Sequence, residues 1–90
     1  MLIALIARDK PEHLQTRLDN RAAHLAYIEE TGVVAQAGPL LDQNGEMVGS
    51  LVILDVEDMA AGDAWAANDP YNKAGLFEAV ELITWKKVIG

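Results

Sequence analysis

Arg17, Arg21 and His24 follow one another at steps of four and three, and Ile28 continues the row. Histidine is the side chain best suited to proton transfer near neutral pH. It becomes a sharper candidate when a carboxylate orients it. Asp69 is the best offer, in the segment WAANDPYNKAGLF (Trp65–Phe77), where Asn68-Asp69-Pro70 stops an alanine-rich helix. Pro70 restricts the residue before it to extended angles, which fixes the direction of the Asp69 carboxylate. Each residue also has a plainer reading. The arginines can snorkel over apolar surface beside a satisfied edge histidine. Asp69 can be the N-cap of a short turn with Pro70 at its first position. The two readings of Asp69 are compatible, since one oxygen can cap while the other faces a ligand.

Other chemistry is thinly represented. His13 and His24 are eleven apart, with no tight cluster of metal-ligating residues around them, so no metal is expected. His13 falls in a first helical turn and reads as solvated. There is no serine elbow, Walker A pattern or GxGxxG. Ser50 follows Gly49 within a strand, where a hydroxyl that hydrogen-bonds a neighbour or ligand is a simpler assignment than a nucleophile. Asp9, Asp55 and Asp58 stand at element ends and read as caps.

The elements that must position these residues follow from the apolar pattern. Leu2 to Ala7 is a continuous apolar run, read as a strand buried on both faces and ended by Arg8-Asp9-Lys10-Pro11. A helix follows from Pro11 to about Thr31. Leu14, Leu18, Ala22, Leu25 and Ile28 are its inner stripe, and Glu12, Thr16, Asp19, Ala23 and Glu30 its wet side. On this wheel the Arg17–Arg21–His24 row borders the core. Gly32 caps the helix. Val33 to Ala37 is a short strand, DQNGE (Asp42–Glu46) a hairpin turn, and Glu46 to Leu54 the return strand, with Ser50, Val52 and Leu54 facing one way and Leu51 and Ile53 the other. Asp55 to Ala67 is a second helix with Val56, Ala60, Ala64 and Ala67 inside. Gly62 weakens it, and Trp65 lies off its stripe, at an edge or against another chain. Ala79 to Val88 is the last strand.

This order, β-α-β-β-α-β, is the ferredoxin-like split βαβ arrangement: an α+β fold with a four-stranded antiparallel sheet. Ninety residues make one domain, residues 1–90. Two helices cover one face of such a sheet, yet its first, third and fourth strands are apolar on both. A homodimer through the open sheet face is the expected solution, in line with a hydrophobic content of 51%. The net charge of -7 argues against nucleic acid and anionic membrane surfaces as partners. The absence of cysteine excludes disulfides and thiolate chemistry. The N-terminal apolar run is too short for a transmembrane helix and lacks a positive n-region, so the cytoplasm is the expected location.

Four segments together resemble the YciI-like (YCII-related domain) family from end to end: RDKPEHLQTRLDNRAAHLAYI (Arg8–Ile28), AGPLLD (Ala37–Asp42), GSLVILDV (Gly49–Val56) and WAANDPYNKAGLF. The resemblance implies a ferredoxin-like fold of the dimeric α/β-barrel type, with two sheets packed face to face. It implies an active site centred on a histidine and an aspartate, carried here by His24 in R-x-x-H-L and Asp69 in D-P-Y. Arg21, Gly38, Ser50 and Tyr71 stand at the other motif positions and would line the same pocket. One branch of the family includes a dehydrochlorinase acting on a chlorinated hydroxyhydroquinone. Ala22, where near relatives have proline, and the short hairpin at 42–48 depart from the pattern without touching the His/Asp pair.

Three functions follow as expectations. The first is a small cofactor-free enzyme, with His24 as general acid or base, Asp69 fixing its tautomer, and Arg21 holding an anionic or enolate-like oxygen. Ser50 and the Gly38 backbone would position a small oxygenated, possibly aromatic, metabolite. Elimination or isomerisation of a lyase type suits this equipment better than hydrolysis, because no nucleophile–base pair is evident. The second is a non-catalytic dimeric module that binds a small ligand in the same pocket. The third is a purely structural His–Asp pair in an interaction protein.

Overall fold

The computed structural model describes residues Met1–Gly90. Its elements run β1 (Leu2–Asp9), α1 (Leu14–Thr31), β2 (Val34–Leu41), β3 (Met47–Asp55), α2 (Met59–Asn68), a single turn α3 (Pro70–Lys73) and β4 (Phe77–Trp85). The four strands form one sheet in the order β2-β3-β1-β4, every neighbouring pair antiparallel. This is the ferredoxin-like fold. No helix is long and apolar enough to cross a membrane.

The alternation of side chains along β1 sorts the two faces of the sheet. Ile3, Leu5 and Ala7 point to the helices and are fully or almost fully buried. Their partners across β3 are Leu54, Val52 and Ser50, so the same face receives two leucine/valine positions and then a hydroxyl. Ile3, Leu5, Ala7, Val52, Leu54 and Trp65 form the core cluster. Burying each large side chain contributes about 1.5–3 kcal/mol. The opposite face carries no helix: Ala4 and Ile53 on that side are 7% exposed, whereas Leu51, Ile83 and Trp85 are 38–52% exposed.

Both long helices present a different face to the sheet than their apolar spacing suggests. On α1, Leu14, Leu18 and Leu25 are 39–51% exposed, and Ala22 is also exposed, whereas Arg17 and His24 are buried. Two members of the row expected at the border, Arg17 and His24, are the inner residues, while Arg21 stays exposed. These two can go inside because the sheet and α3 offer partners for their polar atoms, which removes the cost of burying them. On α2, Ala60, Ala64 and Ala67 are exposed, and Gly62 and Trp65 are buried. Trp65 is therefore a core residue and not an edge. Its ring is tilted against Tyr27, and its Nε1 donates to Thr31 Oγ1 at 2.9 Å while Tyr27 Oη donates to the Trp65 carbonyl at 2.9 Å. Gly62 marks the closest approach of α2 to the sheet: a β-carbon there would lie 2.8 Å from Ile3 Cδ1 and 3.3 Å from Leu82 Cδ2.

Several boundaries also move. α1 starts at Leu14 and not Pro11, because Glu12 takes a left-handed conformation (φ 61°) that interrupts the helical path. His13 is its half-buried N-cap, with Nδ1 2.8 Å from the Pro11 carbonyl. β2 continues through Gly38-Pro39 to Leu41, since proline is tolerated on an edge strand. α2 starts only at Met59, behind Asp58, whose side chain accepts from the Ala61 N–H at 2.8 Å; Asp55 belongs to β3. β4 starts and ends earlier than the apolar run suggested.

Candidate functional site

Asp69 is the hinge of the site. It ends α2 and begins α3 in an extended conformation (φ -61°, ψ 127°), with Pro70 opening the short helix. Its Oδ1 accepts the Tyr71 backbone N–H at 3.1 Å, a standard N-cap bond, and lies 2.7 Å from His24 Nδ1. The cap and the histidine partner are thus the same oxygen, not one each. The pair bridges α1 to the α2–α3 turn across 45 residues of chain, with the two side chains 8% and 2% exposed.

The chemistry of the imidazole follows from this contact. Opposite a carboxylate oxygen, Nδ1 carries the hydrogen, which leaves the lone pair of the neutral ring on Nε2. Nε2 has no partner within the protein, and no fully buried side-chain nitrogen or oxygen is left without one, so Nε2 is the accessible end of the ring. The Tyr71 ring stacks on the imidazole, with centroids 3.9 Å apart and planes 15° from parallel. Tyr71 itself meets Phe77 edge-on at 6.1 Å.

His24 opens into a cavity of about 170 Å³ between α1 and the β2–β3 half of the sheet. A cavity of about 150 Å³ holds benzene, so the space suits one six-membered ring. Arg17, Arg21, Ser50 and Tyr71 supply its other polar groups, and Leu25, Ile28, Pro39, Met47 and Val52 its apolar wall. Of the residues expected at the site, His24, Arg21, Gly38, Ser50 and Tyr71 line this cavity, while Asp69 stands behind His24. Arg21 is exposed at the cavity and has no carboxylate partner, so it is a free cation there. Gly38 leaves open space where a side chain would be, so the fold does not require a glycine. At Gly49, by contrast, a β-carbon would collide with the Ala7 carbonyl of the neighbouring strand, which keeps β1 and β3 close beside Ser50.

Sequence reasoning missed one part of the site. Arg17 is 3% exposed and does not snorkel. Its Nε and Nη2 donate to Asp9 Oδ2 and Oδ1 at 2.7 and 2.8 Å, a two-pronged ion pair, and Nη2 also donates to Ser50 Oγ at 2.9 Å. The guanidinium carbon lies 4.7 Å from the centre of the Tyr71 ring. Asp9 is therefore an ion-pair partner and not a cap. Burial alone would lower the Arg17 pKa, but the hydrogen bonds and charge of Asp9 outweigh it and the net displacement is upward, so Arg17 stays charged. Burial raises the Tyr71 phenol above the ordinary 10.0, against the pull of Arg17 and Arg21. The available signal was positional: Arg17 lies two turns before His24 on the same helical row, and Asp9 ends the strand that feeds the helix. No group of three or more His, Asp or Glu gathers to hold a metal ion.

The chain matches the YCII-related domain over residues 1–86. It is 39% identical to protein YciI of Escherichia coli O6:H1, over 98% of this chain and 99% of that protein. Among solved structures it resembles 5-chloro-2-hydroxyhydroquinone dehydrochlorinase of Burkholderia phenoliruptrix AC1100, determined in complex with 2,5-dihydroxybenzoquinone. That likeness has a TM-score of 0.86 and 38% identity, covering 96% of this chain and 94% of the other. An antibiotic biosynthesis monooxygenase shares the fold at 16% identity, with a TM-score of 0.62 over 99% of this chain and all of the other. On the match along nearly its whole length, this protein belongs to the YCII-related domain family.

Proposed function

We propose that the protein is a small enzyme that moves a proton on a planar, oxygen-bearing ring, in a lyase-type elimination or isomerisation. The observation that carries this reading is the oriented imidazole, with Nδ1 held by Asp69 and Nε2 free in a ring-sized cavity. In an elimination of HCl from the keto tautomer of the ring, His24 Nε2 takes the proton, the electrons of that bond form a new double bond, and chloride departs with the electrons of the C–Cl bond. The ring keeps its oxidation balance, so no oxidant and no cofactor is required. Asp69 stabilises the imidazolium that forms. Arg21 offsets negative charge that develops on a ring oxygen. The apolar wall of Leu25, Ile28, Pro39, Met47 and Val52 suits an aromatic or quinonoid ligand. The dehydrochlorinase whose structure this chain resembles, and the quinone bound to it, support the same class of substrate.

The open sheet face supports a homodimer. Leu51, Ile83 and Trp85 expose large apolar surface there, and a second copy packed sheet to sheet would bury it on both partners. Sedimentation of the protein at micromolar concentration should show twice the chain mass, and Ile83→Glu should return it to the monomer.

Chloride release from 5-chloro-2-hydroxyhydroquinone tests the reaction. Wild type should release chloride, His24→Gln should lose at least a hundredfold in kcat, in the range of a lost general base, and should keep its fold. A His24→Gln protein that binds the ring compounds, with no turnover in either form, makes the pocket a binding site only. A His24→Gln protein that unfolds makes the pair structural.

A further inference from the structure

Ser50 has a donor that nothing in the protein uses. An arginine nitrogen can only donate, so in the 2.9 Å contact Ser50 Oγ is the acceptor. Its own O–H has no acceptor among the protein atoms, although Ser50 is 3% exposed and lines the cavity. A buried hydroxyl keeps an unused donor only at a cost, which a ligand oxygen in the cavity would remove. Arg17, whose position is set in turn by the two bonds to Asp9, takes one lone pair of Ser50 Oγ and so turns the O–H away from the guanidinium. The same guanidinium lies over the Tyr71 ring, which stacks on His24, so one ion pair sets the hydroxyl and packs against the ring that supports the imidazole.

We propose that Asp9 and Arg17 are positioning residues that aim the Ser50 O–H into the cavity, so that the cavity favours ligands presenting a carbonyl or phenolate oxygen at Ser50. This rests on the proton-transfer reading and adds the second point of recognition. A ring held at Ser50 by one oxygen and facing Nε2 of His24 has its acidic proton presented to the base. The oxygen that Ser50 holds is the one that gains negative charge when that proton leaves. A ligand with a donor N–H or an apolar carbon at this position would leave the Ser50 O–H without an acceptor and bind more weakly.

The experiment is a calorimetric double-mutant cycle on the full chain with 2,5-dihydroxybenzoquinone as probe. Ser50→Ala should weaken binding about tenfold or more, as expected for a lost hydrogen bond to a partly charged oxygen. Asp9→Asn, which keeps the shape of the side chain, should weaken it to a similar extent. In the Ser50→Ala background Asp9→Asn should add less than about twofold, because its effect passes through the hydroxyl. A merely structural role for Asp9 would leave its effect unchanged in that background, and this outcome overturns the inference. Equal binding by wild type and Ser50→Ala also overturns it, while leaving His24 chemistry intact. Failure of folded wild type to bind the probe at all overturns the ligand class and the proposed reaction together. Because Arg17→Ala is prone to unfold the domain, the cycle is built on Ser50 and Asp9.

Discussion

The two long helices lie on one face of one sheet and bury opposite chemistry. α2 buries Gly62 and Trp65, placing its backbone against Ile3 and Leu82 and one indole in the core. α1 buries Arg17 and His24, each held by a carboxylate from elsewhere in the chain. A helix that only needs to hold a sheet has no reason to bury a guanidinium and an imidazole while leaving Leu14, Leu18 and Leu25 39–51% exposed. The α2 contact is packing. The α1 contact costs desolvation of four polar groups and returns a fixed constellation around a cavity, which is the pattern of a site built at the expense of simple burial.

Removing one member from each contact separates them most strongly. Trp65→Ala and Asp9→Ala should each destabilise by about 3–5 kcal/mol in urea unfolding, the first by opening a cavity, the second by stranding the Arg17 charge. They should differ in rescue. Adding Arg17→Met to Asp9→Ala should recover most of the loss, because the stranded charge is gone. Gly62→Ala should cost about 1 kcal/mol, since overpacking against Ile3 and Leu82 exceeds the gain in helix propensity. Substituting α1 on its leucine side should have the smallest effect. Leu18→Ser should change stability by no more than about 0.5 kcal/mol, against the 2–5 kcal/mol or so of a core leucine. A loss in the core range would mean that the leucine side of α1 is the inner one after all.

Alkaline titration gives a further contrast. Burial raises both Tyr71 and Tyr27 above the ordinary 10.0, so the folded chain holds these protons longer than the unfolded chain. Their contribution is intact below pH 10 and is lost as pH rises through the folded-state values. Stability followed by circular dichroism should fall with pH above about 10. Tyr71→Phe should make the fall shallower, since the phenylalanine has no proton to lose.

Much of the architecture was legible in the sequence because strands announce themselves in chains of this type. The run at Leu2–Ala7 and the alternation from Ser50 to Leu54 led directly to the central pair of strands, and their order to the fold. The helix faces were not legible, for one reason in both cases. Apolar spacing was read as burial, whereas α2 needs its smallest residue at the sheet and α1 finds enough partners to bury charge. His24 and Asp69 could be paired from residue type, motif and the effect of Pro70, yet the sharing of a single Asp69 oxygen between cap and imidazole is a matter of three-dimensional placement. Asp9 was misread because an aspartate before a helix looks like a cap until the arginine it serves is seen.

The most direct test of the central claim, that Asp69 leaves His24 Nε2 free as the working nitrogen, is a long-range proton–nitrogen NMR correlation of the His24 ring at a pH where it is neutral. The account predicts that the hydrogen sits on Nδ1 and the lone pair on Nε2, and that 2,5-dihydroxybenzoquinone shifts the Nε2 resonance more than the Nδ1 resonance. A neutral ring with its hydrogen on Nε2, indifferent to Asp69→Asn, would contradict it.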